Sequence, residues 1–180
     1  GLLPDGMAPL SEEETNKRQP RQFTLKEARS TYAFWVFCLA LSMFALFVTA
    51  FTFHIVSLFR TSGMERGDAL AIFLPVSLIA VSVHLGAGWL SDRVKLKYLL
   101  IVMLAGLALS MAALMVLGPG LPVALVILGN GIGGGLFGLL SGVTWPKLFG
   151  REHLGAIAGL TLAVTVFHSA VGPWLFSQSL

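Results

Sequence analysis

The sequence is poor in charge. Asp, Glu, Lys and Arg make up 12% of its 180 residues, about half the share in an ordinary soluble domain. Apolar residues make up 56%. A soluble core that rich could not be covered by so few charges, so an ordinary soluble enzyme is excluded. Cysteine is nearly absent too. Cys38 stands alone, so no internal disulfide forms and a disulfide-braced scaffold is excluded. In its apolar surroundings its thiol reads as packing. The chain begins with Gly1 and has no signal-peptide pattern. The class that remains is an integral membrane protein.

The few charges cut the chain into blocks. None lies in the 30 residues from Ser30 to Phe59, the 23 from Ala69 to Ser91, the 49 from Tyr98 to Pro146, or the 28 from His153 to Leu180. A helix needs about 20 apolar residues to cross the hydrocarbon. The longest block would extend ~70 Å as one helix, too far for one crossing. Gly118-Pro119-Gly120-Leu121-Pro122 breaks it, because proline and glycine together end helices. Five spans follow, at about 32–58, 69–90, 98–117, 122–145 and 155–177. Only helices satisfy the backbone in lipid over such lengths. The ~10-residue alternation of a barrel is missing. The expected fold class is all-α integral membrane.

Basic residues set the orientation. Lys17, Arg18, Arg21, Lys26 and Arg29 precede the first span; Arg93, Lys95 and Lys97 follow the second; Lys147 and Arg151 follow the fourth. The other side holds only Arg60 and Arg66. The excess places the N-terminus in the cytoplasm, in a plasma or bacterial inner membrane. These cations therefore read as topology signals and lipid contacts, not as a nucleic-acid patch. Residues 1–22 carry Pro4, Pro9, Pro20 and the run Glu12-Glu13-Glu14, and read as a solvated linker or a regulatory segment. Thr24-Leu25-Lys26-Glu27 is a capping box that starts a helix. The expected organisation is a cytoplasmic segment over 1–30 and a transmembrane bundle over 31–180.

The fourth span is rich in glycine. Gly131 and Gly135, Gly134 and Gly138, and Gly138 and Gly142 are each four apart, a spacing that lets a neighbouring backbone come close. Gly129 to Gly134 also fits the G-x-G-x-x-G dinucleotide pattern, but that pattern needs a strand before it and a soluble βαβ unit around it. Between the second and third spans stands Gly88-Trp89-Leu90-Ser91-Asp92-Arg93-Val94-Lys95-Leu96-Lys97. It resembles the loop signature of the major facilitator superfamily, G-x-x-x-D-R/K-x-G-R-K/R, at Gly88, Asp92, Arg93 and Lys97. It departs at Lys95, where the signature has glycine, and at Leu96, where it has a basic residue.

The resemblance runs along nearly the whole chain. Gly1-Leu2-Leu3-Pro4-Asp5-Gly6, Phe23 to Ala28 and Phe34-Trp35 look like the central loop of the monocarboxylate and oxalate–formate branch. Pro146 to Gly150 and Gly155 to Gly159 look like a later loop of that branch, and Gly172-Pro173 like its eleventh helix. The resemblance implies the central loop and helices seven to eleven of a twelve-helix transporter. The five spans would then belong to a six-helix half of a major facilitator fold, with its last helix and the N-terminal half of the polypeptide missing.

No Asp, Glu, Lys or Arg lies within a span. His54, His84 and His168 do, and an ionisable group at that depth is a functional candidate by default. The bland reading of each is a neutral histidine bonded to a neighbouring helix. His84 is the strongest candidate for substrate or proton binding. It stands where the resembled branch carries an arginine that pairs with the substrate carboxylate, but it lacks that permanent forked charge. His168 lies in the helix where oxalate-type members carry a lysine. His54 lies near the outer mouth. Asn130 is a further polar candidate, for substrate or for support of the glycine-rich helix. Trp35, Trp89, Trp145 and Trp174 lie near span ends and read as packing or interfacial anchors. No His or acid pairs with another on one helix face, so neither a metal nor a cofactor is expected. The expectation is secondary transport of a small organic anion, a mono- or dicarboxylate, coupled to protons or a counter-anion. The alternatives are transport of a neutral solute or drug, and a membrane interaction module without a pathway.

Overall fold

A computed structural model of the chain describes residues 22–178. The motif at Gly1 to Gly6, the acidic run Glu12 to Glu14 and the cations Lys17, Arg18 and Arg21 lie outside the described residues. A short helix, α1 (Leu25–Arg29), opens the described chain. Thr24 caps it: its Oγ1 accepts from the Glu27 N–H at 3.3 Å, while Glu27 Oε2 accepts from the Thr24 N–H at 2.8 Å. This is the box expected from the sequence. Thr31 then starts α2 (Tyr32–Thr61) by accepting from the Phe34 N–H at 3.3 Å.

The other helices are α3 (Arg66–Ala71), α4 (Phe73–Leu90), α5 (Leu96–Met115), α6 (Leu121–Phe149) and α7 (Leu154–Ser177). Among the described residues, five helical stretches are long and apolar enough to cross a membrane, with α3 and α4 together forming the second. That span therefore begins earlier than residue 69 and is broken at Ile72. Pro75 supplies a cause, since it has no N–H for the Ala71 carbonyl. The fourth span also outruns the expected end at 145. Pro146 sits in the last turn of α6, where a missing N–H leaves few later bonds to lose. Gly150, at φ +83°, stops the helix instead, in a left-handed conformation that glycine adopts freely.

Helix α6 is the hub. It packs along α5 and α4, while α2 packs along α7. The core is built largely from the phenylalanines of α2, among them Phe34, Phe44, Phe47 and Phe59, against Met103 of α5 and Leu140 of α6. Half of the most apolar stretch of α2 and of α6 is buried, but only 11% of that of α7 or of the α3–α4 span. In a bilayer, lipid or another helix would cover such faces.

The three basic segments meet at one end. The Phe23 N–H donates to the Phe149 carbonyl at 3.0 Å. Gln22 Oε1 accepts from the N–H groups of Arg151 and Glu152 at 2.9 and 3.1 Å. Lys147 reaches the α4–α5 connection. The stretch before α2 is thus tied to the α6–α7 connection, and α6 to the α4–α5 connection, at what we call the basic end.

Candidate functional site in the membrane bundle

Small residues on α6 determine how closely its neighbours approach. A Cβ added to Gly135 would strike the Ala80 carbonyl and come within 2.8 Å of Val83 Cβ. One on Gly131 would lie 2.7 Å from Ile79 Cβ, and one on Gly138 3.1 Å from the His84 ring. These glycines seat α4. The stripe ends there among the described residues, where a Cβ on Gly142 would meet nothing within 4 Å and the close packing expected for Gly142 from spacing is not made. Gly129 and Gly133, unpaired in the sequence reading, face other helices. A Cβ on Gly129 would lie 2.8 Å from the Ser110 nitrogen on α5, and one on Gly133 would strike the Phe44 ring on α2.

Beside this contact lies a cavity of about 460 Å³, within the range of small-molecule sites. Helices α2, α4, α6 and α7 line it; α5, packed behind α6, does not. The cavity extends from mid-helix (Phe44, Phe137, Thr165) toward the end opposite the basic one (Thr52, Phe73). Its wall is mainly apolar. Phe44 and Phe137 stack with ring centroids 5.3 Å apart. Polar groups come from Thr49, Thr52, Ser77, Asn130, Thr165 and Ser169. A second cavity of about 350 Å³ lies nearer the basic end, lined by Ser141, Trp145 and Thr161 among others. Phe137 and Thr165 line both, and Thr165 Oγ1 lies 3.3 Å from Ser42 Oγ on α2.

Of the four predicted substrate residues, only Asn130 lines the larger cavity. It is 6% exposed, and its amide bonds Ser110 Oγ at 2.7 Å and the Val126 carbonyl at 3.1 Å. The three histidines are spread over the bundle, each held by a backbone carbonyl. His84 Nδ1 lies 3.3 Å from the Gly135 carbonyl, His54 Nε2 3.1 Å from that of Pro173, and His168 Nδ1 2.8 Å from that of Val164 on its own helix. A carbonyl only accepts, so each of these nitrogens carries its proton and donates. His54 also stacks on Phe176. The histidines do not line the larger cavity together, and His84 bridges α4 to α6. Sequence reasoning missed the hydroxyls. The signal was present: Thr49 and Thr52 are three apart, and Thr165 and Ser169 four apart, spacings that share a helix face.

The loop motif lies at the basic end. Lys147 Nζ donates to Asp92 Oδ1 at 2.7 Å, to the Ser91 carbonyl at 2.9 Å and to Ser91 Oγ at 3.2 Å, which uses all three ammonium hydrogens. Hydrogen bonding and charge from Lys147 hold the Asp92 carboxyl below its ordinary range. Arg93 lies over the Trp89 ring at 3.6 Å and Lys97 near the Tyr98 ring at 5.0 Å, as cation–π pairs do. A Cβ on Gly88 would meet nothing within 4 Å. Trp35, Trp89 and Trp174 are exposed, whereas Trp145 is buried. Among the described residues, no three His, Cys, Asp or Glu side chains cluster as metal ligands.

Comparison with known proteins adds one positive finding. No curated protein matches the chain. The family model described as Major Facilitator Superfamily matches residues 2–173.

Proposed function

Because the chain belongs to the major facilitator superfamily, a family of membrane transporters, we propose that the cavity among α2, α4, α6 and α7 is its share of a solute pathway. The observation that carries this is the cavity itself: about 460 Å³ at mid-helix, lined by four helices. Transport then proceeds by alternating access, this bundle rocking against a second one around a site near the midplane. The central-loop resemblance and the basic excess support helices seven to eleven, with the basic end in the cytoplasm.

The cavity chemistry favours a solute without a carboxylate, whether neutral or cationic, over the organic anion. A carboxylate out of water needs a cation or several donors, and among the described residues no Lys, Arg or His lines this cavity. His84 acts in this reading as a tie between helices. Phe137 and Thr165, shared by both cavities, form the partition a solute passes on its way to the basic end.

The test is to fill the cavity. A Cβ on Gly134 would meet only Ala80 Cβ, at 3.8 Å, so the first atom of a side chain fits at this cavity-lining position. Gly134→Phe in the intact transporter is expected to lower uptake into vesicles at least about tenfold, while the amount of folded protein stays the same. Unchanged uptake would overturn the proposal.

A further inference from the structure

Donors and acceptors are unevenly divided around the cavity. Asn130 Nδ2 donates to the Val126 carbonyl and to Ser110 Oγ. The carbonyl can only accept, so the nitrogen and not the oxygen lies on that side. Both amide hydrogens are thus used within the protein. Oδ1 is not among the buried atoms that lack a partner, and it is the atom Asn130 has left to offer the cavity. Ser77 repeats the pattern, giving its hydroxyl hydrogen to the Phe73 carbonyl at 2.8 Å. Thr165 gives its own to the Thr161 carbonyl at 2.8 Å. The stacked rings of Phe44 and Phe137 present π-faces that are negative and attract cations.

We infer that this cavity selects its solute by hydrogen-bond donors: it takes a small, mostly apolar molecule bearing an N–H or O–H group, an amine or alcohol, and rejects carboxylates. The inference rests on the cavity being the solute site and adds the polarity of its recognition. A carboxylate brings only acceptors to Asn130, Ser77 and Thr165, whose hydrogens are already given away, and leaves those groups unmatched. An amine or alcohol meets Asn130 Oδ1 with a donor and lays its apolar body on the phenylalanine wall. The Thr49, Thr52 and Ser169 hydroxyls line the cavity too; they can turn either way and set no preference.

The experiment measures equilibrium binding of matched probes to the full chain in lipid nanodiscs. The probes share a phenyl ring and a three-carbon tail: 3-phenylpropylamine, 3-phenylpropanol, its methyl ether and 3-phenylpropanoate. The amine and alcohol are expected to bind at least about tenfold more tightly than the ether and the carboxylate. Asn130→Leu should bring that ratio to within about twofold. Because Asn130 also braces α5, Ser77→Ala on exposed α4 serves as the second variant and should lower the ratio at least about threefold. Equal binding of alcohol and ether, or tighter binding of the carboxylate, overturns donor selection and leaves the cavity reading standing. Probe binding that Gly134→Phe does not weaken overturns the cavity reading itself. Failure of every probe to bind at millimolar concentration overturns donor selection for this class of solute.

Discussion

At the residue scale, the polar side chains inside the spans divide between holding the bundle and facing its cavity. His84 holds. It donates to the Gly135 carbonyl and closes over Gly138. His84→Ala should therefore lower stability by about 0.5–1.5 kcal/mol, the net worth of one such bond, read as a lower unfolding midpoint in detergent. Asn130 does both. Asn130→Ala should cost about 1–3 kcal/mol, because Ser110 Oγ loses its partner in a buried place. That the spans hide a few polar residues was legible from the sequence, since polar letters stand out in an apolar run. Which of them face a common space was not. One sequence gives the angle of a residue around its own helix but not the rotation of that helix against its neighbours. Asn130 reaches the cavity and His84 does not, although both lie well inside their spans.

At the element scale, α6 owes its central place to lacking side chains. Gly135→Ala should destabilise the bundle by about 1–3 kcal/mol, as overpacking does, because the Ala80 backbone cannot give way without moving α4. Gly142→Ala has open space around it and should be neutral or stabilising by up to about 1 kcal/mol. Unfolding midpoints of the two variants side by side decide this. The four-residue spacing made the stripe legible, yet the same spacing named Gly142, and only the neighbour's position shows where the contact ends. Gly129 and Gly133 are also four apart and could have been named by the same spacing, which does not tell that their partners lie on α5 and α2. The connection of α4 to α6 through Asp92 and Lys147 predicts a pH response. With the Asp92 carboxyl lowered by Lys147, the pair's stabilisation is complete above the unfolded pKa of about 3.9 and is lost as pH falls through the lower folded value. The difference in midpoint between wild type and Asp92→Asn should stay constant from about pH 5 to 8 and shrink below about pH 4. A difference that grows on acidification would contradict the pairing.

At the scale of the whole molecule, the fold class was legible almost entirely. Sparse charge gave the spans, and Gly118 to Pro122 divided the longest block where α5 and α6 meet. The basic residues also foretold which connections share an end. The cavity was not legible, because it is empty space left by four helices and no local pattern encodes it. The central claim is that this space belongs to an aqueous solute path, whereas the outer face of α5 meets lipid. Cys38 is the single thiol of these 180 residues, so Cys38→Ala, with every cysteine elsewhere in the intact transporter also replaced, gives a background for single-cysteine variants. The decisive measurement is the reaction rate of Ser77→Cys, Ser169→Cys and Leu109→Cys with a membrane-impermeant thiol reagent, in membranes containing the intact transporter. Ser77 and Ser169 line the cavity; Leu109 is an exposed apolar residue of α5. The two cavity positions should react at least about tenfold faster than Leu109→Cys, since only they reach water in which a thiolate forms. Equal, slow reaction at all three positions would contradict the cavity as a solute path.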